Sequence, residues 1–163
     1  YMLYPIRKFV TKGREYTNIG YNPVDVPIIR YADVLLSLAE AVNEQGRWQE
    51  AVSYVNRVRN RAGVALLNAP GNTNTKVSGV EEMRVRIRNE KKWELACEEQ
   101  LYFEELRWGT WKTDKFVAKN GLQNVWGAPV YTYIWGGDAY LKWAIPQSEV
   151  EKNTNIKQNE GWN

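Results

Sequence analysis

Histidine is absent from all 163 residues. Without an imidazole the chain cannot build Ser-His-Asp or Cys-His nucleophile systems, histidine-containing zinc sites or the Glu-x-x-His pairs of di-iron bundles. The single cysteine, Cys97, excludes an internal disulfide. Lying among helix-forming residues, it is expected to be an inert buried thiol, and it says little about compartment. No apolar run approaches the roughly 18 residues of a membrane span, and no basic start followed by a short apolar stretch marks a targeting peptide. Blocks of one charge are missing too. The 22 Lys and Arg are interleaved with 19 Asp and Glu, so the net charge of +3 does not make a phosphate-binding surface.

What is present is an ordinary globular composition, 44% hydrophobic and 25% charged, in a chain about one domain long that can bury a core. The excess is aromatic: eight Trp and ten Tyr. Most such rings serve a core, but those in loops can stack on flat ligands. The chain opens at Tyr1 with YMLYPIRKFV, aromatic and strand-like, which reads as a cut inside a larger protein. Gly13, Gly20, Pro23 and Pro27 break residues 1–29 into an extended leading segment.

From Arg30 the text becomes periodic: RYADVLLSLAEAVNEQGRWQEAVSYVNRVRNRAG. Val34, Leu35, Leu38, Ala39, Ala41 and Val42 recur at steps of three and four, the mark of a helix with one buried face. Gly46 stops it. Trp48, Ala51, Val52, Val55 and Val58 repeat the pattern, so two helices joined by a very short turn must pack antiparallel. Small Ala39 and Ala51 facing each other across larger Leu35, Leu38, Trp48 and Val55 is the arrangement of a tetratricopeptide unit. A lone hairpin cannot bury its own apolar face, and no second copy occurs in this chain. Either the remaining residues act as a surrogate neighbour or sibling repeats lie outside this sequence.

Residues 66–78 (LLNAPGNTNTKVS) read as a mobile, turn-rich loop. Ser78-Gly79-Val80-Glu81 has the form of a capping box, and a helical region is expected from there to about Leu106. Its core stripe starts with Val80, Met83 and Ile87, then lands on Glu90, Glu94 and Glu98 before Leu101. Buried carboxylates are costly unless paired. They are read as ion pairs to arginines such as Arg30, Arg59, Arg61 and Arg107, whose planar forks match carboxylates. The rival readings are a catalytic or metal-binding acid cluster, and a helix break near Asn89 that turns the acids to solvent. A glycoside hydrolase is disfavoured, because residues four apart on one helix point the same way whereas a hydrolase needs carboxylates on opposite sides of a bond.

From Gly109 to Gly137 the sequence is irregular, with Trp126, Tyr131, Tyr133 and Trp135 among glycines, and Tyr131 and Tyr133 alternating as in a short strand. These four are the candidate ligand-stacking residues. In the tail, Pro146, Asn153, Asn155, Asn159 and Gly161 mark successive turns, too many for a helix of any length.

Four segments in order carry a resemblance. VPIIRYADVLLSLAEAVNE is close to the pattern piiRyaDvlLmyAEAlne, VNRVRNRAGV to iNkvRaRAGl, IRNEKKWELACEEQLYFEELRWG to IrnERriELafEGhRyfDLrRWg, and YLKWAIPQSEVEKNTNIKQNEGW to yllPIPqsEidlNpnlkQNpGY. Together, over about 26–162, they resemble the carboxy-terminal part of the SusD/RagB family of outer-membrane nutrient-binding lipoproteins. Departures are Glu99 at the family's Gly, Leu101 at its Arg, Glu104 at its Asp, Glu160 at its Pro and Trp162 at its aromatic position.

The expected fold class is therefore mainly α. Residues 1–163 would form the carboxy-terminal portion of a larger SusD-like α superhelix: a tetratricopeptide-like hairpin at about 31–62, a long helical region at about 79–107, and aromatic-rich loop and tail over 109–163. The resemblance implies binding without catalysis, cofactor or metal. It places such proteins on the cell surface, tethered to the outer membrane by a lipidated amino-terminal cysteine that this sequence does not contain. They capture oligosaccharides, or peptides in some branches, for a TonB-dependent SusC-like transporter. The alternative is a tetratricopeptide scaffold that binds peptides in the hairpin's concave face.

Overall fold

The computed structural model describes Lys8, residues 27–113, 122–123, 129–131 and 136–162. Among the described residues five helices and a two-stranded ribbon follow in order: α1 Tyr31–Glu44, α2 Trp48–Ala62, α3 Val80–Glu94, α4 Gln100–Arg107, β1 Leu122–Gln123, β2 Pro129–Tyr131 and α5 Gln147–Lys152. Short 3-10 turns sit at Thr73–Thr75 and Asp138–Leu141. The chain divides between Leu101 and Tyr102 into two compact units. No described helix is long and apolar enough to cross a membrane.

In the first unit α1 and α2 form the expected hairpin. Gly46 turns the chain at φ +82°, a left-handed conformation that favours glycine. Ala39 and Ala51 are both fully buried, so the helix backbones approach closely where the side chains are smallest. The hairpin does find a neighbour within the chain. Met83 and Ile87 of α3 join Leu35, Leu36, Ala39, Val42, Val55 and Val58 in one cluster. Because α1 packs on both α2 and α3, its inward face is wider than a two-helix seam and is rotated from the expected one. Leu36 and Asn43 are inside, whereas Val34 and Leu38 are 50% and 42% exposed.

The loop expected to be mobile at 66–78 is tied down instead. The Asn56 side chain accepts the Leu67 N–H at 2.7 Å and donates to the Leu67 carbonyl at 3.2 Å. Asn68, left-handed at φ 57°, accepts the Val77 N–H at 2.8 Å. Leu67 and Val77 thereby reach the core cluster, and burial of these two apolar side chains is what the turn-rich composition concealed.

At the start of α3 the capping pair is shifted by one residue. Gly79 is the N-cap, so Glu82 is the third helical residue, and its carboxylate accepts both the Ser78 N–H and the Ser78 hydroxyl. Glu81 pairs with Arg84 instead. The long helical region is also not one helix. α3 ends at Glu94, and turns over Leu95–Glu99 separate it from α4. The break is neither at Asn89 nor absent. Its freed carbonyls are taken by cations: Lys8 donates to Glu94 O at 2.6 Å and Ala96 O at 3.0 Å, and Arg30 to Glu94 O at 2.9 Å. Cys97 lies in this break at φ 64° and is exposed, not buried as its helical surroundings implied.

In the second unit Tyr102 makes edge contacts with Phe103 and Trp111, and β1 and β2 pair antiparallel with a register shift. The tail holds the six-residue α5 despite its turn formers, and it closes on itself. Gln158 accepts the Ile145 N–H and donates to the Ile145 carbonyl, both at 2.8 Å. Asn159 donates to Trp143 O at 2.6 Å, and the Trp162 indole N–H to Ala139 O and Lys142 O at 3.0 and 2.8 Å. Gly161 makes this clasp possible, since at φ +86° a Cβ there would stand 2.5 Å from the Ala139 Cβ. Gly161→Ala should therefore open the clasp, at a cost of roughly 2 kcal/mol or more from left-handed strain plus the clash. Faster amide hydrogen exchange at Ile145 checks this, and unchanged exchange would contradict it.

Candidate functional site

The stripe of acids is the chemically dense part of the first unit. Glu90 meets Arg59 at 2.5 Å. Glu94 is shared by Arg30 at 2.8 Å and Arg61 at 2.5 Å. Glu98 is shared by Arg30 at 2.8 Å and Lys8 at 2.5 Å. These cations are Lys8, Arg30 just before α1, and Arg59 and Arg61 in the last turn of α2, so three separate segments converge on one face of α3 and its exit. The fourth arginine expected here, Arg107, pairs with Glu104 one turn away on α4 and lies over the Trp108 ring. Its sequence neighbour provides a carboxylate at helical spacing, which satisfies it locally.

Chemically the cluster is a clamp. Burial pushes the Glu98 carboxyl up, but hydrogen bonds and charge from Arg30 and Lys8 outweigh it and hold the group below the usual carboxylate range. Hydrogen bonding to Glu98 correspondingly raises Arg30 above its ordinary value, against burial. A general acid of a glycosidase needs the opposite shift. Among the described residues no group of His, Cys, Asp or Glu could hold a metal ion.

One buried charge was not legible in the stripe. Lys91 is fully buried, with its Nζ 3.1 Å from the Ser37 hydroxyl, 3.5 Å from Glu40 and 4.0 Å from Asp33. Asp33, Ser37 and Glu40 lie four and three apart on α1, and that polar row inside an apolar helix was the available signal.

Beside the clamp a cavity of about 370 Å³ lies against the start of α1 and the second half of α2. Arg30, Arg57, Arg61 and Tyr31 surround it above Leu35 and Val58. A second recess of about 430 Å³ is formed by the pinned loop, with Asn68, Asn72, Thr73 and Lys76 in its wall. Of the stacking candidates, Tyr131 ends β2, while Trp126, Tyr133 and Trp135 lie outside the described residues. Aromatics that sequence reasoning passed over also stand open among the described residues: Tyr31, Trp93 and Phe103, each more than 60% exposed, and Trp143, 85% exposed although its carbonyl is held by Asn159.

The model of the SusD family matches residues 1–162. The chain belongs to the SusD family. It is 29% identical over 96% of its length to the starch-binding protein SusD of Bacteroides thetaiotaomicron, and 33% identical over 90% to the SusD-like protein P2 of Formosa agariphila. A crystal structure of a SusD-like protein from Bacteroides fragilis superposes over 82% of the chain with a TM-score of 0.65 and 28% identity. The chain spans about a quarter of the length of these relatives: 25%, 26% and 25% respectively. The SusD-like fold is mainly α, in accord with the helices described above.

Two outcomes test the clamp. Glu94→Ala strands the part-buried Arg30, while Arg61 is 61% exposed, and should cost about 2 kcal/mol, whereas Glu149→Ala, which breaks an exposed pair with Lys152, should cost under about 0.5 kcal/mol. Urea unfolding measures both, and equal losses would contradict the assignment. Because the Glu98 carboxyl lies below its ordinary 4.5 in the folded protein, its contribution is complete above that pH and is lost as pH falls through the lowered value. Glu98→Gln should then lower neutral-pH stability and flatten the acid limb of the stability curve.

Proposed function

We propose that this SusD-family protein is a cell-surface nutrient-binding subunit that captures oligosaccharides and passes them to a TonB-dependent SusC-like transporter. It acts by binding, without catalysis. The observation that carries the reading is family membership across residues 1–162, with a starch-binding protein among the relatives. In this reading Trp126, Tyr131, Tyr133 and Trp135 stack on sugar rings, and polar neighbours hydrogen-bond the hydroxyls. In this reading the protein is held at the outer membrane as a surface-exposed lipoprotein.

The fold supports binding in two ways. The acids that could have served a hydrolase are committed to arginines. The loop recess and the tail clasp present polar groups and an open indole on backbone that hydrogen bonds already fix, which lowers the ordering cost of binding.

Titrating the native protein with a panel of neutral oligosaccharides should change its tryptophan fluorescence and leave the ligands uncut. Trp135→Ala should weaken binding by about tenfold, the loss of one stacked ring at roughly 1 to 1.5 kcal/mol. Shortened ligand would overturn the binding-only reading. Peptide binding with no saccharide binding would move the protein to the scaffold alternative.

A further inference from the structure

We infer that the cavity at the start of α1 binds an acidic sugar, a pyranose whose carboxylate is held by Arg57 and Arg61 while its ring lies on Tyr31. The inference rests on the oligosaccharide-binding reading and adds the charge and the position of one sugar unit.

The argument starts from charge. In the clamp three carboxylates, Glu90, Glu94 and Glu98, serve four cations, Lys8, Arg30, Arg59 and Arg61, and two of those carboxylates are already shared. Arg57 is a fifth cation beside them and has no carboxylate partner among the described residues. It is four residues from Arg61 on α2, a spacing at which like charges face each other and repel. An anion between the two guanidiniums removes that repulsion and adds charge-assisted hydrogen bonds.

The geometry then specifies more than an anion. Arg57 is already oriented, donating to the Tyr31 hydroxyl at 2.7 Å with its Cζ 5.4 Å from the Tyr31 ring centroid. The Tyr31 ring is exposed and flat, and Leu35 and Val58 give the cavity an apolar floor. A free inorganic anion would leave ring and floor unused, and a neutral sugar would leave the charge unanswered. A carboxylated pyranose uses both, its acid group on the guanidinium fork and its C–H face on the aromatic ring. A volume of about 370 Å³ lies near the small end for ligand pockets, so it takes one sugar unit and leaves the rest of the chain outside.

The test compares a uronic-acid oligosaccharide with a neutral oligosaccharide of equal length on the native protein, alongside Arg57→Gln, Tyr31→Ala and a glutamate-rich peptide. The Arg57 guanidinium bonds only the exposed Tyr31 hydroxyl among the described residues, so Arg57→Gln should keep its melting temperature. We expect tighter binding of the acidic ligand, weakened at roughly 0.5 M salt. Arg57→Gln should weaken it about tenfold or more while sparing the neutral ligand. Tyr31→Ala should weaken the acidic ligand as well. Equal affinity for the two ligands, or an acidic preference untouched by Arg57→Gln, overturns the inference and leaves the nutrient-binding reading standing. Binding of neither saccharide overturns both. Binding of the glutamate-rich peptide with loss in Arg57→Gln, and none of the uronate, overturns it in favour of a protein partner.

Discussion

A buried carboxylate must be answered by a cation, and in the first unit that requirement is met three times along one line. Glu90, Glu94 and Glu98 stand where apolar residues would otherwise continue the α3 stripe, and each draws an arginine from a distant segment. Apolar packing alone fixes how far apart α3 and the hairpin lie, yet it tolerates sliding and rotation, because dispersion has no direction. Planar guanidinium forks do have direction, so Arg30, Arg59 and Arg61 fix the register. The same cations end the helix. Arg30 and Lys8 bond the carbonyls released at Glu94 and Ala96, which lets the chain turn through Cys97 and begin α4. The open cavity borders that clamp and shares Arg30 and Arg61 with it.

The connections follow a second rule, in which one amide side chain holds a backbone segment by both its groups. Asn56 does this for Leu67, and Gln158 for Ile145. An amide can donate and accept at once, so it replaces the missing partner strand of an irregular segment. This explains two stretches of the quoted family pattern in physical terms. The Asn of VNRVRNRAG is a loop anchor, and QNEGW is a latch in which Gln158, Asn159 and Trp162 bond backward and Gly161 clears the space. The ion-pair clamp and the latch lie in different units, and both spend polar groups on holding shape. Groups held in this way are fixed before any ligand arrives, which lowers the ordering cost of binding.

Much was readable from the residues alone. Helical periodicity and Gly46 determined the hairpin, because apolar spacing and a left-handed turn are local properties. The costly stripe of Glu90, Glu94 and Glu98 called for arginines, and the four ordered segments pointed to the SusD family. What sequence could not decide depended on three-body packing. α1 touches both α2 and α3, which rotated its buried face toward Leu36 and Asn43. Lys91 is buried because α1 happens to offer Asp33, Ser37 and Glu40 opposite it. The break over 95–99, the exposure of Cys97 and the local pairing of Arg107 depended on which cation reaches which carbonyl or carboxylate first. Periodicity records what one helix prefers; the partner of a charge or the neighbour of a face is set by segments tens of residues away, and only the folded chain brings those together.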